Sequence, residues 1–105
     1  MKRAALFGGS GNNRETKEYK ETVEIGKLLH KHDYIVKNGG YGGMMEAVSK
    51  GITSEGGQAI GITCKQVGKE KGNSFLTDTI VTEKLFKRLQ LLIEDTDLFI
   101  VQKGG

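Results

Sequence analysis

The stretch Tyr34-Ile35-Val36-Lys37-Asn38-Gly39-Gly40-Tyr41-Gly42-Gly43-Met44-Met45 decides how the rest of the chain is read. A short β-branched run passes through four glycines into a helical pattern over residues 44–54, where Met44, Val48 and Gly51 or Ile52 recur at three- and four-residue steps. That is a strand, a glycine turn and a helix in direct succession. Glycine suits such a turn because it adopts positive φ and lets the backbone approach a ligand without a Cβ in the way.

Working outward, the same unit recurs upstream. Ala4-Ala5-Leu6-Phe7 reads as a strand, Gly8-Gly9-Ser10-Gly11-Asn12-Asn13 as its turn, and residues 15–31 as a helix with Tyr19, Val23, Gly26 and Leu29 on one face. Gly26 is expected to let that face lie close on the sheet, and His30 and His32 suit the negative end of the helix dipole. Downstream, Gly56-Gly57 ends the second helix and residues 59–63 form a third strand. An irregular stretch then runs to about Asp78, long enough to be functional or mobile. Residues 83–95 are helical again, with Leu85, Phe86, Leu89, Leu92 and Ile93 on a broad apolar face and Leu91 outside it. The continuous apolar run 98–101 is a fourth, central strand, followed by Lys103-Gly104-Gly105.

Strands alternating with helices predict an α/β fold: a Rossmann-like three-layer domain spanning residues 1–105 around a parallel sheet. The expected strand order is 3-2-1-4, incomplete on the C-terminal side. A chain of 105 residues matches one core. No apolar run is long enough to cross a bilayer, and Met1-Lys2-Arg3 enters a strand without signal-peptide character, so a cytoplasmic location is expected. The single cysteine, Cys64, has no Cys or His partner at ligand spacing, so neither a disulfide nor a zinc site is expected, and no cofactor is called for. A net charge of +3 is compatible with a phosphate ligand but lacks the dense basic face of a nucleic-acid binder. Lys65, Lys69 and Lys71 read as a solvated loop.

Three of the glycine turns follow strands and therefore share the carboxyl edge of the sheet, where ligands bind at the switch in strand order. The switch is expected between the strands ending at Phe7 and Gln102. Residues 8–13 would then face residues 103–105 across a crevice, with 39–43 beside them. The amides of Gly42, Gly43 and Met44 open a helix and are candidates for holding an anion. The Walker pattern is absent, and the dinucleotide fingerprint fails because its third glycine and its ribose-binding acid are missing.

The run from Asn38 through Gly51, continuing through Gly56-Gly57-Gln58-Ala59-Ile60-Gly61-Ile62, resembles the first signature of the LONELY GUY proteins, many of which carry the older label of possible lysine decarboxylase. Leu6-Phe7-Gly8-Gly9-Ser10, Phe86-Lys87-Arg88-Leu89 and the run from Asp97 to Gly105 match as well, leaving out only the loop over residues 65–76. The resemblance implies hydrolysis of the N-glycosidic bond of a nucleoside 5′-monophosphate to free base and ribose 5-phosphate. It assigns Arg88 as the substrate-contacting, catalytic arginine. Gly9, Ser10, Gly39, Gly40, Gly42, Gly43, Met44, Gly104 and Gly105 become the nucleotide- or phosphate-binding set, while Glu46 in the first turn of its helix reads as structural. Of the family's second signature only Gly104-Gly105 is present, with Lys103 in place of the proline and without the glutamate expected to act as acid and base.

Two functions stay open on this reading: a nucleotide N-glycosidase that lacks its acid, and a non-catalytic nucleotide- or molybdenum-cofactor-binding carrier. A folded fragment without activity is the blander alternative. The expected partners are a small nucleotide or phosphate and further copies of the chain, with neither nucleic acid nor membrane. The apolar helix over residues 83–95 is the expected contact of a homodimer or higher oligomer, and a side chain at Gly43 is expected to crowd the ligand.

Overall fold

The computed structural model describes residues 1–11, 13–67 and 71–103. Its elements are β1 (Lys2–Gly8), α1 (Lys17–Lys31), β2 (Tyr34–Asn38), α2 (Met44–Ser54), β3 (Ala59–Cys64), β4 (Asp78–Thr82), α3 (Leu85–Ile93) and β5 (Leu98–Gln102), with a short 3-10 turn at Lys65–Val67. The five strands form one parallel sheet in the order β4-β3-β2-β1-β5. The expected order of four strands is present, its fourth member being β5, and the switch lies between β1 and β5 as anticipated.

The main differences from the sequence reading concern two helices and one strand. α1 starts at Lys17 because Thr16 caps it, its hydroxyl accepting from the Tyr19 amide at 3.1 Å, while Asn13 holds the turn before it through the Glu15 amide. β4 was not foreseen at all. It is an edge strand, exposed from Asp78 to Val81, and its polar-apolar mixture Asp-Thr-Ile-Val-Thr gives no core signal. The helix expected over 83–95 is shorter at both ends.

The main core lies between the sheet and the α1/α2 layer, where Ala4, Leu6, Val36 and Ala59 of the strands meet Tyr19, Leu29, Met44, Ala47, Val48 and Ile52. Gly26 does not face the sheet as expected. A Cβ on it would fall closer than 3.0 Å to the Val48 carbonyl and the Ile52 nitrogen, so its role is to let α1 and α2 touch backbone to backbone. Gly51 answers it from the other side, against the Val23 carbonyl. Inside this layer the Asn38 amide donates to Ser49 Oγ at 2.9 Å, fixing the end of β2 against α2.

The opposite sheet face carries α3 alone among the described elements. Leu92 is buried there, whereas Leu85, Phe86, Leu89 and Ile93 are exposed, Phe86 at 80%. Leu91, expected outside the apolar face, is half-buried toward Ile60, Ile62 and Lys37. The helix leans on the sheet by its Leu91–Leu92 side, so that of the broad stripe read from the sequence only Leu92 is buried, while Phe86 and Ile93 face solvent. Phe99 and Val101 of β5 are exposed on the same side, Phe99 stacking on Phe7 with ring centroids 6.4 Å apart. Among the described residues, no helix is long and apolar enough to cross a membrane.

Candidate functional site

At the carboxyl ends of β1 and β2, under α3, a cavity of about 530 Å³ opens to solvent. Its wall is mostly apolar: Leu6 and Phe7 from β1, Met45 from α2, Val67 from the 3-10 turn, and Leu85, Leu89 and Leu92 from α3. Ser10, Gly39, Tyr41 and Arg88 supply the polar part. Sequence reasoning had singled out Ser10, Gly39 and Arg88 of these residues. It missed Tyr41, Met45 and the leucines of α3, whose only signal was apolar spacing.

Arg88 is held in place rather than lying free on its helix. Its Nε–H donates to the Ile62 carbonyl at 2.7 Å and an Nη2–H donates to the Gly39 carbonyl at 2.8 Å. The guanidinium lies over the Tyr41 ring, 5.1 Å from its centroid. Tyr41 is fixed in turn, its hydroxyl accepting from the Cys64 amide at 2.9 Å and donating to the Cys64 carbonyl at 3.3 Å. Cys64 itself is buried, without a disulfide. The end of β3, the glycine turn after β2 and the helix α3 thus meet at one cationic group.

The glycine loops are tied to one another before any ligand is considered. Gly43 has φ +66°, and a Cβ there would overlap the Gly9 carbonyl and the Ser10 backbone. The expectation that a side chain at Gly43 would crowd a ligand is corrected accordingly: it would first push the two loops apart. The Met44 amide, expected to face an anion, donates instead to the Gly9 carbonyl at 2.9 Å. Gly40, at φ +84°, uses its amide on Asn38 Oδ1 at 2.8 Å. Gly39, Gly40 and Gly43 are buried, whereas Gly9 and Gly42 are half-buried and Ser10 is exposed. Gly104 and Gly105 lie outside the described residues.

Behind the loops, Arg14 forms a two-pronged pair with Glu46 at 2.8 and 3.0 Å, and the Tyr19 hydroxyl donates to the same carboxylate. Burial raises the Glu46 carboxyl, but the hydrogen bonds from Arg14 and Tyr19 outweigh it and leave the group below its ordinary value. Burial, followed by the Glu46 anion, pushes Tyr19 up to about 12. Glu46 is therefore an anchored, ion-paired carboxylate that fastens the loop after β1 to α2, consistent with a structural role. On the α3 side, Lys37 donates to the Leu91 and Glu94 carbonyls at 2.9 and 2.6 Å, capping the helix C-terminus. Burial and the nearby Arg3 charge lower its pKa.

Residues 2–105 match the SLOG cluster4 family, and the chain belongs to it. It is 30% identical over 100 residues to a protein of unassigned function from Archaeoglobus fulgidus, covering 95% of this chain and 64% of the other. The X-ray structure of TM1055, a structural-genomics target, is similar at 32% identity and a TM-score of 0.83, with 96% of this chain and 60% of that one covered. The fold is also that of the molybdenum cofactor binding protein from Rippkaea orientalis, at 22% identity, TM-score 0.83 and coverage of 99% and 63%. The Moco carrier protein from Chlamydomonas reinhardtii is comparable, at 21% identity, TM-score 0.82 and coverage of 99% and 63%. The chain spans less than two thirds of the length of each of these proteins. The family resemblance read from the sequence thus holds at the coarser level of the SLOG cluster4 family.

Proposed function

We propose that this SLOG cluster4 protein binds a small phosphorylated heterocycle, a nucleoside 5′-monophosphate first of all, at the carboxyl edge of β1 and β2, and binds it without cleaving it. The observation that carries this reading is the two-part wall of the cavity. Phe7, Met45 and Leu89 offer an apolar bed for a flat ring, while Ser10 and Arg88 stand at a rim built from the glycine loops. In this proposal Gly9, Ser10 and Gly42 approach the phosphate. Gly39, Gly40, Gly43 and Met44 shape the loops that present them. Arg88 contributes positive charge close by, although two of its N–H groups are spent on carbonyls. Among the described residues lining the cavity there is neither carboxylate nor imidazole, the groups that glycosidic hydrolysis needs as acid and base.

A second reading has the same chemistry. The molybdenum cofactor is likewise a phosphorylated heterocycle, and two proteins of this fold are described as binding or carrying it. Titration calorimetry with AMP and with inorganic phosphate, alongside a chromatographic assay for free adenine, tests the proposal. Saturable binding with no base released above background is expected. Absence of saturable binding to either compound would sink it, as would base release that vanishes in Arg88→Ala. Displacement of AMP by a pterin phosphate at lower concentration would favour the carrier reading.

Assembly belongs to the same proposal. Leu85, Phe86, Ile93, Phe99 and Val101 leave an apolar face in water on the α3 side, and covering it gains roughly 25 cal/mol per Å². A homodimer or higher oligomer through α3 is the proposed arrangement. In sedimentation at micromolar concentration the chain is expected to run as an oligomer that Phe86→Glu dissociates. A compact wild-type monomer would overturn this part.

A further inference from the structure

The segment that falls outside the sequence resemblance is the one that grips the glycine turn. Asn73 lies against residues 40 and 41. Its backbone N–H donates to the Gly40 carbonyl at 2.7 Å, and its side-chain Nδ2 donates to the Gly40 and Tyr41 carbonyls at 3.2 and 2.9 Å. Its Oδ1 accepts from the Phe75 amide at 3.0 Å, which fixes which end of the side-chain amide faces the turn. Gly72 permits the close approach, since a Cβ there would overlap the Gly40 carbonyl and Leu76. From the other side, Arg88 holds the Gly39 carbonyl. Three successive carbonyls of the turn are therefore tied back by two residues from distant parts of the chain.

The consequence follows from peptide geometry. In a planar trans unit the N–H points opposite to the preceding carbonyl, and the described chain has no cis peptide. With the Gly39 carbonyl on Arg88, the Gly40 N–H is directed to Asn38, as observed. With the Tyr41 carbonyl on Asn73, the Gly42 N–H is directed away from Asn73. Tyr41 and Gly42 are half-buried while their flanking glycines are buried, so this is the stretch of the turn that an incoming ligand meets.

We propose that Asn73 is a positioning residue for the ligand site, acting through the Tyr41–Gly42 peptide, whose orientation it sets. The proposal rests on the reading of the glycine loops as a phosphate site. Asn73→Asp is the informative variant, because it keeps the acceptor for Phe75 but sets a carboxylate oxygen against two carbonyls. In the ligand-free chain the Gly42 amide resonance is expected to shift and its hydrogen exchange to quicken. Below the ordinary carboxyl pKa of about 3.9 the protonated group donates again, so the resonance should return toward its wild-type position. AMP and inorganic phosphate should bind about tenfold more weakly at neutral pH. Asn73→Ala, which adds no charge, should show the same weakening without the pH-dependent return, and it stands in if the aspartate variant does not fold. An unmoved Gly42 resonance, or wild-type affinity in both variants, overturns the proposal while leaving the ligand reading intact. If wild type binds neither compound but the Gly42 resonance responds as described, the ligand reading fails and Asn73 still sets the turn.

Discussion

Replacing Gly51 by alanine is expected to lower stability by about 3 kcal/mol, even though alanine is the better helix former by about 1 kcal/mol. The cause is the contact between α1 and α2. A Cβ at position 51 would lie closer than 3.0 Å to the carbonyl carbon and oxygen of Val23, and these are backbone atoms with no rotamer to escape into. Gly26 meets Val48 and Ile52 in the same way across the contact. Accommodating the methyl group means moving one helix off the other, and with it Leu29, Ala47, Val48 and Ile52 in the layer beneath. Overpacking where side chains can give way costs about 1–3 kcal/mol, so a backbone obstacle belongs at the upper end of that range or beyond. Against a total of roughly 5–15 kcal/mol this is a large fraction. Urea unfolding of Gly51→Ala and Gly26→Ala reads the effect. A variant as stable as wild type would show that the helices do not pack as closely as their glycines indicate.

The contrast with the sequence reading is instructive at Gly26. Its spacing placed it correctly on the buried face of α1, but periodicity records only that a position is covered and not which element covers it. The same limit explains α3. An apolar stripe at Leu85, Phe86, Leu89, Leu92 and Ile93 is plain in the sequence, yet of these only Leu92 is buried and Leu91 joins it, because Lys37 fastens the C-terminal end of the helix to the sheet and Arg88 fastens its middle. Those fastenings join residues far apart in sequence and leave no periodic trace. β1, β2, β3 and β5 were legible as apolar runs next to glycines. β4 was not, since an edge strand exposed over four of its five residues has no buried pattern to display. At the site, the turn glycines announced a ligand edge, but which atoms face solvent depends on tertiary hydrogen bonds such as that from Met44 to Gly9 and those from Asn73.

Arg88→Ala is expected both to destabilise the chain by roughly 2–3 kcal/mol and to make it more tolerant of a side chain at Gly39. The first effect follows from the loss of two charge-assisted hydrogen bonds, to the Ile62 and Gly39 carbonyls, together with the stacking of the guanidinium on Tyr41. The second follows from where the guanidinium lies. A Cβ on Gly39 would overlap Arg88 Nη2 and fall 2.9 Å from Cζ, and it would also come within 2.7 Å of Met45 Sδ. No backbone atom is among these nearest neighbours, so Gly39→Ala acts mainly by displacing Arg88 from its carbonyls. With Arg88 already replaced by alanine, only the flexible Met45 remains to be moved, and the substitution at Gly39 should cost less by about 1–2 kcal/mol than it does in wild type. Lysine at position 88 should not restore stability, because a single ammonium cannot reproduce the planar fork that spans two carbonyls. Denaturant unfolding of wild type, the two single variants and the double variant closes the cycle. Additive losses would mean that Gly39 is required for some reason other than the arginine, and the clamp joining α3 to the glycine turn would have to be abandoned.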